Sequence, residues 1–147
     1  MAKKDAPHNR SWKESMKEWG GGDLTFLSSD GEVIMFVVMD LPILLEGKFK
    51  GNVQERIGCP VVTDEGFVLF ITGKRVARKL SKFEDRFKDT AFMVIRHGSS
   101  GDINAKYEVK VLDDSIKTEH LFKLAEREYT PALLKQAIKD AAEVMKA

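Results

Sequence analysis

Residues 48–72 read KFKGNVQERIGCPVVTDEGFVLFIT, and GKRVARKLSKFEDRF follows at once over residues 73–87. From Lys48 one parity is polar, with Lys48, Lys50, Asn52, Gln54 and Arg56. The other parity carries Phe49, Val53, Ile57 and Cys59, interrupted by Gly51 and Glu55. A period of two with one wet, cationic face predicts a half-buried strand. Thr63-Asp64-Glu65-Gly66 then turns into Phe67–Thr72, which is apolar on both faces and reads as a central strand. After Gly73 the period changes to helical: Val76, Leu80, Phe83 and Phe87 fall at i, i+4, i+7 and i+11, and Lys74, Arg75, Arg78, Lys79 and Lys82 lie off that stripe.

Upstream, Asp23–Leu27 and Glu32–Asp40 flank the turn residues Ser29-Asp30-Gly31, a pattern that predicts a hairpin or a bent first strand ended by Pro42. Downstream, Thr90–His97 and Ile103–Leu112 are two strands joined by Gly98-Ser99-Ser100-Gly101-Asp102. The second alternates, with Ile103, Ala105, Tyr107, Val109 and Val111 inward and Asn104, Lys106, Glu108 and Lys110 outward. At the N-terminus Ser11 and Glu14 fit a capping box, and Trp12, Met16 and Trp19 make one stripe of a short helix closed by Gly20, Gly21 and Gly22. At the C-terminus residues 117–128 read as a short helix. Thr130-Pro131 opens a longer one with Leu134, Ala137, Ile138, Ala141 and Met145 on its apolar face.

A chain of 147 residues sets the expectation of one core-forming domain that needs no disulfide or metal staple. No apolar run approaches the ~20 residues of a membrane helix, and the lysine-bearing start has no apolar segment behind it, so no signal peptide is read. With Cys59 as its one cysteine the chain has neither an internal disulfide nor a multi-cysteine zinc site. The expectation is a soluble cytoplasmic protein, in the host-cell cytoplasm if the chain is viral, with no membrane contact and no cofactor. Net charge is +1, yet residues 48–112 hold 13 basic and 8 acidic groups, whereas both flanks are net acidic. A basic middle can signal contact with a polyanion.

The element order is strand, strand, strand, helix, strand, strand. A doubly wound sheet needs helices between most strands, so short links point to an antiparallel sheet. The expected class is mainly β (α+β): a five-stranded antiparallel OB-like barrel with a helix between strands 3 and 4, plus a short N-terminal and a longer C-terminal helix. The boundaries are 1–22 for a polar arm and short helix, 23–112 for the barrel and 113–147 for the helical segment. On the paired stretches GKFKGNVQERIGCPVV and GFVLFITGKR, then TAFMVIRHG and INAKYEVKVL, the layout resembles the small OB-fold single-stranded-DNA-binding proteins of phages. That resemblance implies largely sequence-independent coating or protection of single-stranded DNA in replication or recombination. Members of the group often end in an acidic tail that recruits partners; this chain ends AAEVMKA and departs from that pattern.

Single strands are held by cations along the phosphate track and aromatic platforms for the bases. Lys48, Lys50, Arg56, Lys106 and Lys110 are the expected phosphate contacts, with Asn52 and Gln54 able to hydrogen-bond between them and Arg96, Lys74 and Arg75 at the margin. Phe49, Phe70 and Tyr107 are the stacking candidates. Lysine on an antiparallel face also guards against edge pairing, so the alternative is a non-enzymatic assembly barrel that joins copies of itself or replication proteins through its terminal helices. Two enzymatic readings fail on spacing. Gly66 and Gly73 are too far apart for a phosphate-binding P-loop, and Arg75 replaces its Ser or Thr. Asp102, Glu108 and Lys110 resemble a metal-dependent nuclease set, but Asp102 lies in a glycine-serine turn six residues from Glu108, which leaves a nuclease as the minority reading. No metal ligands are assigned, since His8, His97 and His120 are far apart.

Overall fold

β4, Asn52–Thr63, is the strand on which the sheet is built. The structure is a computed structural model that describes residues 24–27, 29–49, 52–99 and 104–146, with side chains throughout except at Lys48, Phe49, Asn52 and 144–146. The expected N-terminal arm and helix, with Trp12 and Trp19, lie outside the described residues, as do Lys50, Asp102 and Ile103. Along one edge β4 pairs antiparallel with β5, Gly66–Thr72. Along the other it pairs first with β3, Ile43–Phe49, and then with the end of β2, Val33–Val38. Pro60 sits where β4 changes partner, between Gly58 opposite Ile43 and Val61 opposite Val38, so its missing N–H breaks no rung of either ladder. Its carbonyl accepts from the Met39 amide at 2.9 Å.

The start of β2 pairs with β6, Phe92–His97, and β6 with β7, Lys106–Val111. The fold is thus a mixed α+β arrangement around one seven-stranded sheet in the order β1-β5-β4-β2-β6-β7, with β3 beside β4. Where five strands were expected, two further segments appear. One is β3, Ile43–Phe49, which begins just beyond Pro42, where the first strand was expected to end. The other is β1, Leu24–Thr25, which runs parallel to β5 (Leu24 opposite Leu69) and forms no hairpin with β2. Among the described residues no ladder joins β7 to β1 or β5, so the sheet stays open there.

The sheet is buried on both faces. On one, Val37, Leu45, Val62, Phe67, Leu69 and Ile71 lie under two helices, α2 (Ser115–Glu128) and α3 (Pro131–Lys146), which contribute Leu121, Leu124, Ala125, Ala137 and Ala141. Asp114 caps α2 through the Lys117 amide at 3.0 Å, and the Thr130 hydroxyl accepts from the Leu133 amide at 3.2 Å at the start of α3. On the other face Phe36, Cys59, Val61, Phe70, Phe92 and Val94 close around Val76 and Leu80 of α1, Lys74–Ser81. The expected stripe to Phe87 holds, although the α-helix stops at Ser81. Phe83 and Phe87 arrive through a turn and a single 3₁₀ turn to place their rings 5.4 and 5.6 Å from Phe92. Three strands, β4, β2 and β6, stand between β5 and β7 in pairing order, yet Thr72 and Tyr107 line one cleft. The sheet therefore curls nearly round on itself.

One parity argument fails. Lys48, Lys50 and Arg56 were expected on one face of one strand, but the chain reverses between Phe49 and Asn52, which stand opposite each other across a hairpin. Lys48 takes the register position opposite Val53, out of phase with Gln54 and Arg56. Val53, read as inward, is 65% exposed because the hairpin runs past the end of β5 and nothing described covers that face.

Candidate nucleic-acid interface

The open edge is where the fold gathers exposed cations. α1 begins immediately after β5 with Gly73 at its N-cap, no side-chain cap, and Lys74 and Arg75 in its first turn. Burial of Val76 and Leu80 turns the flank carrying Arg75 and Lys79, spaced i and i+4, toward β7. Between α1 and β7 lies a cleft of about 560 Å³ lined by Arg75, Lys79, His97, Lys106, Tyr107 and Glu108, together with the apolar Val76, Ala105 and Val109. A second cleft of about 210 Å³ adjoins it at Tyr107 and is lined by Phe26, Leu27, Arg56 and the end of β5 from Phe70 to Gly73. Phe26 is 47% exposed, an aromatic ring at the rim that costs free energy to leave in water.

Tyr107 is fixed from behind. Arg96 is only 7% exposed, and its guanidinium donates to the Tyr107 hydroxyl, to Gly98 O at 3.0 Å and to Ser99 O at 2.7 Å. The same group lies 5.5 Å from the Tyr107 ring centroid. From the front, Lys79 Nζ donates to the Tyr107 carbonyl at 2.9 Å, which occupies part of the free edge of β7. The acid in the larger cleft, Glu108, accepts from Lys110 at 3.1 Å and contacts His97 at 3.2 Å. Hydrogen bonds from His97 and then Lys110 hold its carboxyl below the usual range, so it stays ionised and neutralises part of the local positive charge.

The candidates from the sequence separate accordingly. Arg56, Arg75, Lys106 and Tyr107 come together along the two clefts, although they belong to three different elements, β4, α1 and β7. Lys74 stands beside them in an ion pair with Glu55, and Gln54 accepts from Arg56 at 2.9 Å. Lys110 is bound to Glu108 and does not line either cleft. Two assignments are corrected. Phe70 has 0% exposure and packs 6.0 Å from Phe36, so its ring is core and offers no face to a base. Arg96 spends its donors on the turn and on Tyr107, and a buried guanidinium so engaged supports the site from within the fold. Lys48, Phe49 and Asn52 lie at the hairpin end, their side chains outside the description.

Lys79, His97 and Phe26 were missed as site residues. The i, i+4 spacing of Arg75 and Lys79 was the available signal for the first; the other two depend on pairings between segments distant in sequence. No family model, curated protein or solved structure matches the chain. What the interface can do therefore rests on its own geometry. Among the described residues no group of three His, Cys, Asp or Glu is placed to share a metal ion, and no helix is long and apolar enough to cross a membrane.

Proposed function

We propose that this chain binds single-stranded nucleic acid, DNA in preference to RNA, without marked sequence dependence, along the open edge between α1 and β7. One observation carries the reading: Arg56, Arg75, Lys79 and Lys106 line two adjoining clefts together with Tyr107 and the exposed ring of Phe26. Cations beside aromatic faces are what an extended strand requires, phosphates for the first and bases for the second. α1 adds to it. Its first turn carries two cations and no acid against the positive end of the helix dipole, an arrangement that an anion at that end would relieve.

The strand order supports an OB-like reading of the barrel. With β2 and β3 counted as one bent strand and the two-residue β1 set aside, five strands remain in the order third, second, first, fourth, fifth, with α1 between the third and fourth. That fold is a partly open Greek-key barrel. Here α2 and α3 cover the outer face of β4 and β5, so the nucleic-acid track is assigned to the open side instead. A binding role of this kind suits protection of DNA strands during replication or recombination. The test is fluorescence anisotropy with labelled oligo-dT and a matched duplex. Tighter binding to the single strand, weakening linearly in log–log with salt, is the expected result. Equal affinity for duplex, or no binding at low salt, would overturn the proposal.

A further inference from the structure

Thr72 is only 7% exposed, and among the described residues its hydroxyl has no hydrogen-bond partner. The other buried polar side chains are engaged: the Thr63 hydroxyl with Gly66 O, the Thr90 hydroxyl with Asp89, and Arg96 with Tyr107, Gly98 and Ser99. A buried hydroxyl left unpaired costs free energy that a ligand atom would recover. Along β5, Phe67, Leu69 and Ile71 face α2 and α3, and Phe70 faces α1, so parity turns Thr72 to the α1 side. Tyr107 packs on that same side, and both residues line the smaller cleft with Phe26, Arg56 and Gly73. Gly73 keeps this cleft open. Its φ of −79° and ψ of 166° are extended backbone that any residue adopts, and a Cβ there would meet nothing within 4 Å among the described residues. N-cap positions rank Asn, Asp and Ser above glycine, so neither the backbone nor the helix requires glycine here.

We infer that the smaller cleft seats one unstacked base of the bound strand, against Phe26 and Tyr107, with its edge hydrogen-bonded to the Thr72 hydroxyl. The inference rests on the single-strand reading and adds to it a seat for a single base. The cleft holds about 210 Å³, below the about 300–1,000 Å³ of pockets for drug-sized ligands, which leaves room for one ring system and not for a stacked pair. A hydroxyl both donates and accepts, so it completes the edge of any base. Stacking on an aromatic ring is equally tolerant, which fits binding without marked sequence dependence. Among the described residues no carboxylate lines the cleft, and Arg56 keeps N–H donors beyond those given to Gln54 and the Glu55 carbonyl for the phosphate beside that base.

The test compares oligo-dT with a strand of equal length that keeps the sugar-phosphate backbone and lacks the bases, by anisotropy on the full chain, with circular dichroism to verify folding. The wild type should prefer oligo-dT by about five- to a hundred-fold. Gly73→Leu fills the seat and should remove most of that preference while the salt slope is kept, because the slope counts phosphates. Thr72→Val keeps the shape and drops the hydroxyl, so affinity for oligo-dT should fall by about two- to ten-fold. Its thermal midpoint should hold or rise, since a buried hydroxyl without a partner has left the fold. A wild type that binds neither strand overturns the single-strand reading and the seat with it. A wild type that binds both strands alike, or a folded Gly73→Leu that keeps the full preference, overturns the seat alone. A lowered midpoint in Thr72→Val would show that the fold itself uses the hydroxyl, and would overturn the seat as well.

Discussion

Replacing Arg56, Arg75 and Lys106 together by alanine takes three exposed cations from the rim of the open edge and touches neither core. Lys79 is left in place because it also bonds the Tyr107 carbonyl. If each of the four cations meets one phosphate, log affinity for a single strand should fall with log salt at a slope of about −2.8, from about −0.7 per contact. Between about 50 and about 200 mM salt the wild type then weakens by about fifty-fold. The triple variant, with a slope of about −0.7, weakens by about two- to three-fold. Among the described residues Arg56 bonds only Gln54 and the Glu55 carbonyl beside it, so the thermal transition should move little. A matched control removes Lys123, Lys135 and Lys139 from α2 and α3, the same charge on exposed helix surface. Oligo-dT anisotropy titrations at four salt concentrations read the slopes directly. Equal loss of slope in both triple variants would mean that net charge alone drives binding, and an unchanged slope in the first would place the interface elsewhere.

Phe92→Ala should destabilise by about 3–5 kcal/mol in urea titrations, since the ring is fully buried among Phe36, Phe83 and Phe87. Burial pushes the Cys59 thiol up to about 11, so at pH 8 it should react with a thiol reagent only as fast as the fold opens; prompt labelling of native protein would contradict its place in the core. Burial, then the hydrogen bond to Asp40, raises the Tyr129 hydroxyl to about 12 from its ordinary 10. The folded chain thus keeps a proton that the unfolded chain loses. The stability from this group is whole below pH 10 and lost as pH climbs to about 12, and Tyr129→Phe should cost about 1 kcal/mol at neutral pH, with the gap narrowing over that window. Labelled DNA should survive incubation with magnesium or manganese, and cleavage abolished by Glu108→Gln would reverse the non-enzymatic reading.

What the sequence determined by itself was local. The two-faced apolar run of β5, the Val76/Leu80 stripe of α1, Pro131 at the head of α3 and the burial of Cys59 were all legible, because each depends on periodicity or capping within a few residues. Parity failed at Lys48 and Arg56, since a two-residue reversal changes which face a residue takes and leaves the spacing of polar residues intact. Phe70 read as a stacking ring until the curl of the sheet buried both of its faces. Arg96 read as a free cation until β7 brought Tyr107 against it. The clefts were invisible for the same reason: Phe26, Arg56, Arg75 and Lys106 are separated by tens of residues, and only the closing of the sheet around α1 sets them side by side. Periodicity encodes how a segment divides its own faces between water and core; which segments then meet is decided by non-local pairing.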